Sequence, residues 1–505
     1  MSTPISRREM ILGASGLAAA QAADRPRPNI LWLMADEYRH DVMHCAGHPM
    51  IKTPNLDRIA SEGVRFATTY TVSPVCSPSR ASAFSGRYAH VHGVMNNQVP
   101  AHNGEIFLPS ILKHYGYHTA ISGKLHFVPH RFDFGFDKFW SFSSEGPTPE
   151  IGYNAFLKKK HGSPGKFPIV PGSCPWPNDE LGRDVGLFKH EPQDFETEWI
   201  ADRSIDYLRS RKGNTQPWFL YTSFLRPHSP SVLPKKYFDM YDPEKVPVYP
   251  LPANAHELRL AARGRQKRHT IDDPQMERVI TSKYFGAITN VDDNIGRILA
   301  ELERQGLMDN TIILFSADHG NMLGEKAKWF KGVEYEGSAR IPLLWREPKA
   351  ASQNKGRVET KIIENTDLTP TVLDAVGIPI PEGVQGRSFL KLTRGSDPKW
   401  KDHGFSQLHA GMVRTPEWKL IDNSMDASGK FELYNMRSDP HENHNVAADP
   451  KHKALIAEYA KQLTKWRADK PAPVKVPGME TPGYAFVSDE ERKELLRAAP
   501  REDQE

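Results

Sequence analysis

The chain is 505 residues long, with 38% hydrophobic and 25% charged residues. Folding a chain of this length buries roughly three quarters of its extended surface, which excludes a disordered, collagenous or disulfide-stapled protein. Its 66 Lys and Arg against 62 Asp and Glu leave a net charge of +4, which gives no ground for a nucleic-acid partner.

Residues 1–23 are predicted to be a targeting segment. Arg7-Arg8 precede a short Ala/Gly-rich apolar stretch that ends in Ala20-Gln21-Ala22, a small-x-small cleavage site. The stretch is too short to cross a bilayer, which needs about 20 apolar residues, and no other run reaches that length. The expected mature protein therefore starts near Ala23, passes through the twin-arginine export machinery without a membrane span, and works in the periplasm or outside the cell.

From residue 24 to about 400 short apolar runs alternate with helical patterns, which predicts an α/β domain with a large, mostly parallel sheet flanked by helices. Ile30–Met34, Thr119–Ser122, Trp218–Thr222 and Thr311–Phe315 read as buried strands. Ile288, Val291, Ile295, Ile298, Leu299 and Leu302 mark a helix that stops at Gly306. The first strand runs into Asp36-Glu37 and the second into Gly123-Lys124-Leu125-His126. The third leads to Arg226-Pro227-His228 and the fourth to Asp318-His319-Gly320. Ligands of open parallel sheets bind beyond the carboxyl ends of the strands, so four such ends point to one site on one edge.

Phe142–Pro192 and Pro227–Asp273 read as long ordered insertions on that edge. Arg263, Arg265, Lys267 and Arg268 form a basic cluster there, which fits either a solvated helix face or contact with an anionic polymer. Residues 401–470 change to short strands, turns and a helix over Lys453–Trp466, a smaller α+β subdomain with an antiparallel sheet. Residues 471–505 read as a Pro-rich tail that wraps the surface or frays.

The most informative stretch is Val75-Cys76-Ser77-Pro78-Ser79-Arg80. Ser77 is expected to cap a helix with Pro78 in its first turn. That sets Cys76 beside the positive helix end with Arg80 one turn in, a setting that favours negative charge. Cys45 and Cys174 are expected to be unreactive thiols or to pair after export.

Here the sequence resembles the type I sulfatases of the alkaline-phosphatase-like superfamily, whose signature is Cys-x-Pro-Ser-Arg. The resemblance runs from Asn29 to about Ala447 through Lys52–Asp57, Gly123–His126, Pro227-His228, Phe315–Gly320, Lys331, Tyr335–Pro342 and Phe431–Tyr434. Phe127 after His126 and Ser85-Gly86 in place of Thr-Gly are small departures. Asp318-His319-Gly320 resembles the subgroup with iduronate-, choline- and phosphonate-cleaving members.

The resemblance implies a sulfuric ester hydrolase acting on a sulfated small molecule or glycan. It further implies that a maturation enzyme oxidises Cys76 to formylglycine, whose hydrate is the nucleophile. It assigns the metal to Asp36, Asp318, His319 and the modified Cys76, with Glu37 where many relatives have a second Asp. It also implies that Arg80 orients the hydrate, that Lys124, His126, His228 and Lys331 hold sulfate and move protons, and that Asn97, or Asn96 in its stead, faces the sulfate. Carboxylate oxygens favour Ca²⁺, while the imidazole of His319 leaves Mn²⁺ as the alternative. Lys124, Lys331, Arg80 and a divalent ion against two or three carboxylates give a net charge of about +2 to +3, suited to a monoanionic ester. His228 is expected to protonate the leaving alcohol and His126 to act in the second step, roles that sequence leaves interchangeable. The rival readings are a phosphonate monoester or phosphodiester hydrolase of the same superfamily, and an exported glycan-binding protein with a dead site.

Overall fold

The computed structural model describes residues 27–480 except 143–144, 163–166, 174–184, 250, 252–272, 350, 352–354 and 426–429. The targeting segment, the basic cluster at 263–268, Cys174 and the tail beyond 480 lie outside the described residues.

Among the described residues, eight strands build the central sheet: β1 (Asn29–Asp36), β2 (Val64–Tyr70), β3 (His118–Gly123), β4 (Lys138–Ser141), β5 (Trp218–Pro227), β6 (Thr311–Ala317), β7 (Arg340–Arg346) and β8 (Arg357–Glu364). Their order is β8-β2-β7-β6-β1-β5-β3-β4. Only β7 runs antiparallel, to both β2 and β6, so the sheet is mostly parallel as expected. The four strands read from the sequence are the adjacent run β6-β1-β5-β3 at its centre. They are buried on both faces, which is why they read as unbroken apolar runs. Alternate side chains of β1 feed separate cores: Leu31 and Leu33 enter one, Ile30, Trp32 and Met34 the other.

Helices cover both faces. In chain order the main ones are α1 (Pro54–Glu62), α2 (Cys76–Ser85), α3 (Glu196–Ser210) and α4 (Pro274–Arg304). α4 opens on Asp273, whose side chain accepts from the Gln275 amide, with Pro274 in its first turn. Its six predicted apolar positions are 0–1% exposed, and Gly306 turns the chain at φ +68 just past its end. Asp292 of α4 accepts the Asn55 and Leu56 amides, which explains Lys52–Asp57 as the anchored start of α1.

Beyond the large domain, β9 (Gly404–Gln407), β10 (Gly411–Arg414), β11 (Trp418–Asp422) and β12 (Phe431–Asn435) form an antiparallel meander. Helix α5 (Lys453–Ala468) packs Tyr459, Leu463 and Trp466 on Phe405, Val413, Leu420 and Leu433. The described part of the tail returns to the large domain, where Val474 and Val476 are buried in its second core.

Candidate active site

The four central strands deliver their ends to one place. α2 starts at Cys76, earlier than the expected Ser77 cap, and the capping residue Val75 makes no side-chain cap. Ser77 instead donates its hydroxyl to the His126 carbonyl at 2.8 Å. Its own amide is capped through space by Asn97 Oδ1 at 3.0 Å, so the correction has a physical cause: a distant amide satisfies the orphan N–H that a local hydroxyl would have served. All ten residues of α2 are buried, which holds the Cys76 side chain rigidly at the helix end.

Around Cys76 Sγ stand His319 Nε2 at 3.2 Å, Lys331 Nζ at 3.3 Å and Asp36 Oδ1 at 3.7 Å. Arg80, fully buried, binds Asp318 Oδ2 through Nε at 2.8 Å and Asp36 Oδ2 through Nη2 at 3.2 Å. Its Nη1 reaches the Lys124 carbonyl, Ser223 Oγ and Tyr221 OH. Lys124 Nζ lies 2.6 Å from Asp36 Oδ2. Gly123, at φ +111, allows this, because a Cβ there would overlap the Ser223 carbonyl on β5. Lys331 Nζ is 2.7 Å from His228 Nε2, and His228 Nδ1 is 2.6 Å from the Ser229 carbonyl. That carbonyl can only accept, so Nδ1 carries the hydrogen and Nε2 accepts from Lys331. His319 Nδ1 is likewise committed to the Gly320 carbonyl, which leaves Nε2 as its ligand atom.

Electrostatics follow the geometry. Burial and Asp36 push the Cys76 thiol up, but Lys124, Lys331 and His319 outweigh them and bring it down to about 5. Burial alone would lower His319; Asp318 and Cys76 overcome it and hold the imidazole at about 9. Asp36 is held well below the carboxylate range, since Lys124, Arg80 and Lys331 together exceed its burial. Glu37 goes the other way: burial raises it more than Lys331 and His319 lower it.

Asp36, Cys76, Asp318 and His319 offer ligand atoms all within 4.8 Å of one another, and so do Asp36, Glu37 and His228. Glu37 stands at φ +64, held by Asn321 Nδ2 on Oε1 and by its own amide on Asp318 Oδ1. Its buried Oε2 makes no hydrogen bond and lies 3.4 Å from His228 and 3.5 Å from Lys331. His126, at φ +63, is fixed through its backbone, its amide on Glu145 and its carbonyl on Ser77. Of the candidate site residues, Asp36, Glu37, Cys76, Arg80, Lys124, His228, Asp318, His319 and Lys331 meet here, while Asn97 serves as the helix cap and Asn96 as the acceptor of the Asn97 amide. Sequence reading missed Tyr221, Ser223, Asn321 and Glu145. Tyr221 and Ser223 share one face of β5 two residues apart, and Asn321 follows His319 by two. Burial and Asp57 push the Cys45 thiol up to about 12.

A family model described as Sulfatase matches residues 28–378, most of the chain. The chain belongs to the sulfatase family. A second model, N-sulphoglucosamine sulphohydrolase, C-terminal, matches residues 324–469 of this sulfatase. It is 33% identical over 465 residues to an arylsulfatase of Clostridium perfringens, covering 87% of this chain and 94% of that one. It is 28% identical to an N-acetylglucosamine-6-O-sulfatase of Bacteroides thetaiotaomicron, covering 89% and 87%. A phosphonate monoester hydrolase of Agrobacterium radiobacter superposes with a TM-score of 0.75 at 24% identity, covering 88% and 96%, a likeness of fold. The resemblance read from the motifs is borne out, and the sulfatase is a sulfuric ester hydrolase. Among its described residues no helix is long and apolar enough to cross a membrane.

Proposed function

We propose that this sulfatase hydrolyses a sulfate monoester on a carbohydrate, through residue 76 in its formylglycine form and a divalent cation. The observation that carries this is the ring of His319, Lys331 and Asp36 within 3.7 Å of Cys76 Sγ. That sulfur stands in for the hydroxyl oxygens of the hydrated aldehyde, which supply the nucleophile. The donor set fits a cation, because two buried carboxylates, an imidazole nitrogen and residue 76 converge within 4.8 Å. The orphaned Glu37 Oε2 beside them suits a further oxygen ligand. Oxygen donors favour Ca²⁺, with Mn²⁺ as the alternative. When bound, the cation supplies positive charge to the nucleophile and to a sulfate oxygen.

The chain's own residues do the rest. Arg80 locks Asp36 and Asp318 and so fixes the ligands relative to residue 76. Lys331 donates toward the position of Sγ and shares a proton with His228 Nε2, and this pair delivers it to the departing alcohol oxygen. Lys124 and the Asn97 amide group are assigned to sulfate oxygens, and His126 to the proton of the second hydroxyl. The twin-arginine segment supports export to the periplasm or beyond, after oxidation of Cys76 by a maturation enzyme.

Side-by-side turnover of an aryl sulfate and an aryl phosphonate ester tests the reading. A higher kcat/KM on the sulfate is expected; a higher value on the phosphonate would make the chain a phosphonate ester hydrolase, and turnover of neither, nor of any sugar sulfate, would make it a binding protein.

A further inference from the structure

Among the described residues, chain neighbours of Lys331 and His228 line two hollows that differ in size and chemistry. One is lined by Pro227 and Ser229 on either side of His228, by Phe330 next to Lys331, and by Tyr284 and Trp329. Its volume is about 20 Å³, room for about one water molecule. This apolar flank is already filled by the protein's own aromatic side chains and admits no leaving group.

The other hollow holds about 300 Å³, enough for a small organic ligand. One wall is the loop around Lys331, with Lys328 and Gly332. The other is the C-terminal sheet, with Ala410, Asn423 and Glu432. The Gly332 amide donates to the Pro74 carbonyl at 3.1 Å, which ties this loop to the turn that enters Cys76. The hollow is thus lined by the chain neighbour of Lys331, on a loop anchored beside Cys76. Its polar groups are of both kinds. Glu432 is fixed as an acceptor by Asn423 Nδ2 at 2.9 Å and by Tyr335 OH at 2.9 Å. Lys328 lines the hollow; its ammonium, drawn electrostatically toward Glu432, makes no hydrogen bond or ion pair among the described residues. An ammonium beside a pre-fixed carboxylate and amide suits hydroxyl groups, which donate and accept at once, and wastes desolvation on an aryl ring.

We propose that this hollow is the subsite for the alcohol portion of the substrate, and that this portion is a sugar ring whose hydroxyls are read by Lys328, Asn423 and Glu432. The assignment rests on the sulfate-ester reading above and adds the residues that select the alcohol. It also makes the C-terminal subdomain a wall of the substrate site.

The test compares wild type, Lys328→Met and Ala410→Phe on 4-nitrophenyl sulfate and on a panel of monosaccharide sulfates, with melting temperatures to show that the variants fold. Lys328→Met is expected to lower the ratio of kcat/KM for the best sugar sulfate over the aryl sulfate by about tenfold, mostly through KM, the loss of one charged hydrogen bond. Ala410→Phe, which fills the hollow, is expected to lower the ratio by at least as much. The assignment is overturned if both substrates turn over and neither variant moves the ratio, or if wild type cleaves the aryl sulfate and no sugar sulfate. Those outcomes leave the sulfatase reading standing, whereas wild type inert on every sulfate ester would remove that reading and the subsite with it.

Discussion

Arg80 ties the site together with one planar fork. It neutralises Asp36 and Asp318 at once, all three side chains being 0% exposed, and its Nη1 ties the residue after β3 to Ser223 of β5. A lysine cannot reproduce that fork. Arg80→Lys is expected to lower kcat/KM by about 10²–10³. It should also cost about 3–5 kcal/mol in urea unfolding, because two buried carboxylates lose paired partners. A variant that unfolds like wild type and keeps full activity would show that the fork is dispensable. A second buried carboxyl gives a pH test away from the metal ligands. Burial pushes Glu334 from 4.5 up to about 7 against the opposing pull of Ser406 and Lys419. Its folded pKa exceeds its unfolded one, so its contribution is intact below pH 4.5 and is lost as pH rises through about 7. Glu334→Gln removes that loss. The variant is expected to match wild type near pH 4.5 and to gain on it up to pH 8, by at most about 1.4 kcal/mol per pH unit. A difference that does not vary with pH would contradict this. At this scale the sequence was legible wherever chemistry sits beside a strand end or in Cys-x-Pro-Ser-Arg. It was silent on Tyr221, Ser223, Asn321 and Glu145, since these act only through partners that folding brings from far along the chain.

Among the elements, the central strands were readable because burial on both faces leaves an unbroken apolar run. The flanking β2, β4, β7 and β8 were not singled out. Edge strand β8 alternates exposed and buried residues such as Val358 and Glu359, and β2 is broken by Arg65 and its threonines. The reversed direction of β7 leaves no mark in composition. Pro342 within it would argue against a central strand, but it sits where the β2–β7 register shifts between Phe66 and Thr69, a place where a missing N–H is tolerated. The Ser77 cap failed for a related reason, since Asn97 supplied the acceptor from 20 residues away. The contact between α5 and the small sheet has its own test. Leu463 is 0% exposed between them, so Leu463→Ala is expected to cost about 2–5 kcal/mol in thermal or urea unfolding. A loss below about 0.5 kcal/mol, the range of surface changes, would mean that the helix is not packed there.

For the whole molecule, the arrangement is a parallel sheet that aims four adjacent strand ends at the tip of one buried helix, with a small antiparallel sheet closing one side. The sheet and the helix make residue 76 the point where the cations converge. Everything proposed for catalysis depends on what that residue becomes. The direct measurement is mass spectrometry of the proteolytic peptide that contains residue 76, from protein made in a host with a formylglycine-generating enzyme. The expected result is a peptide about 18 Da lighter than its cysteine form, –CH₂SH having become –CHO, in protein that hydrolyses an aryl sulfate. A fully unmodified thiol in protein that is equally active on the sulfate would contradict the proposed nucleophile.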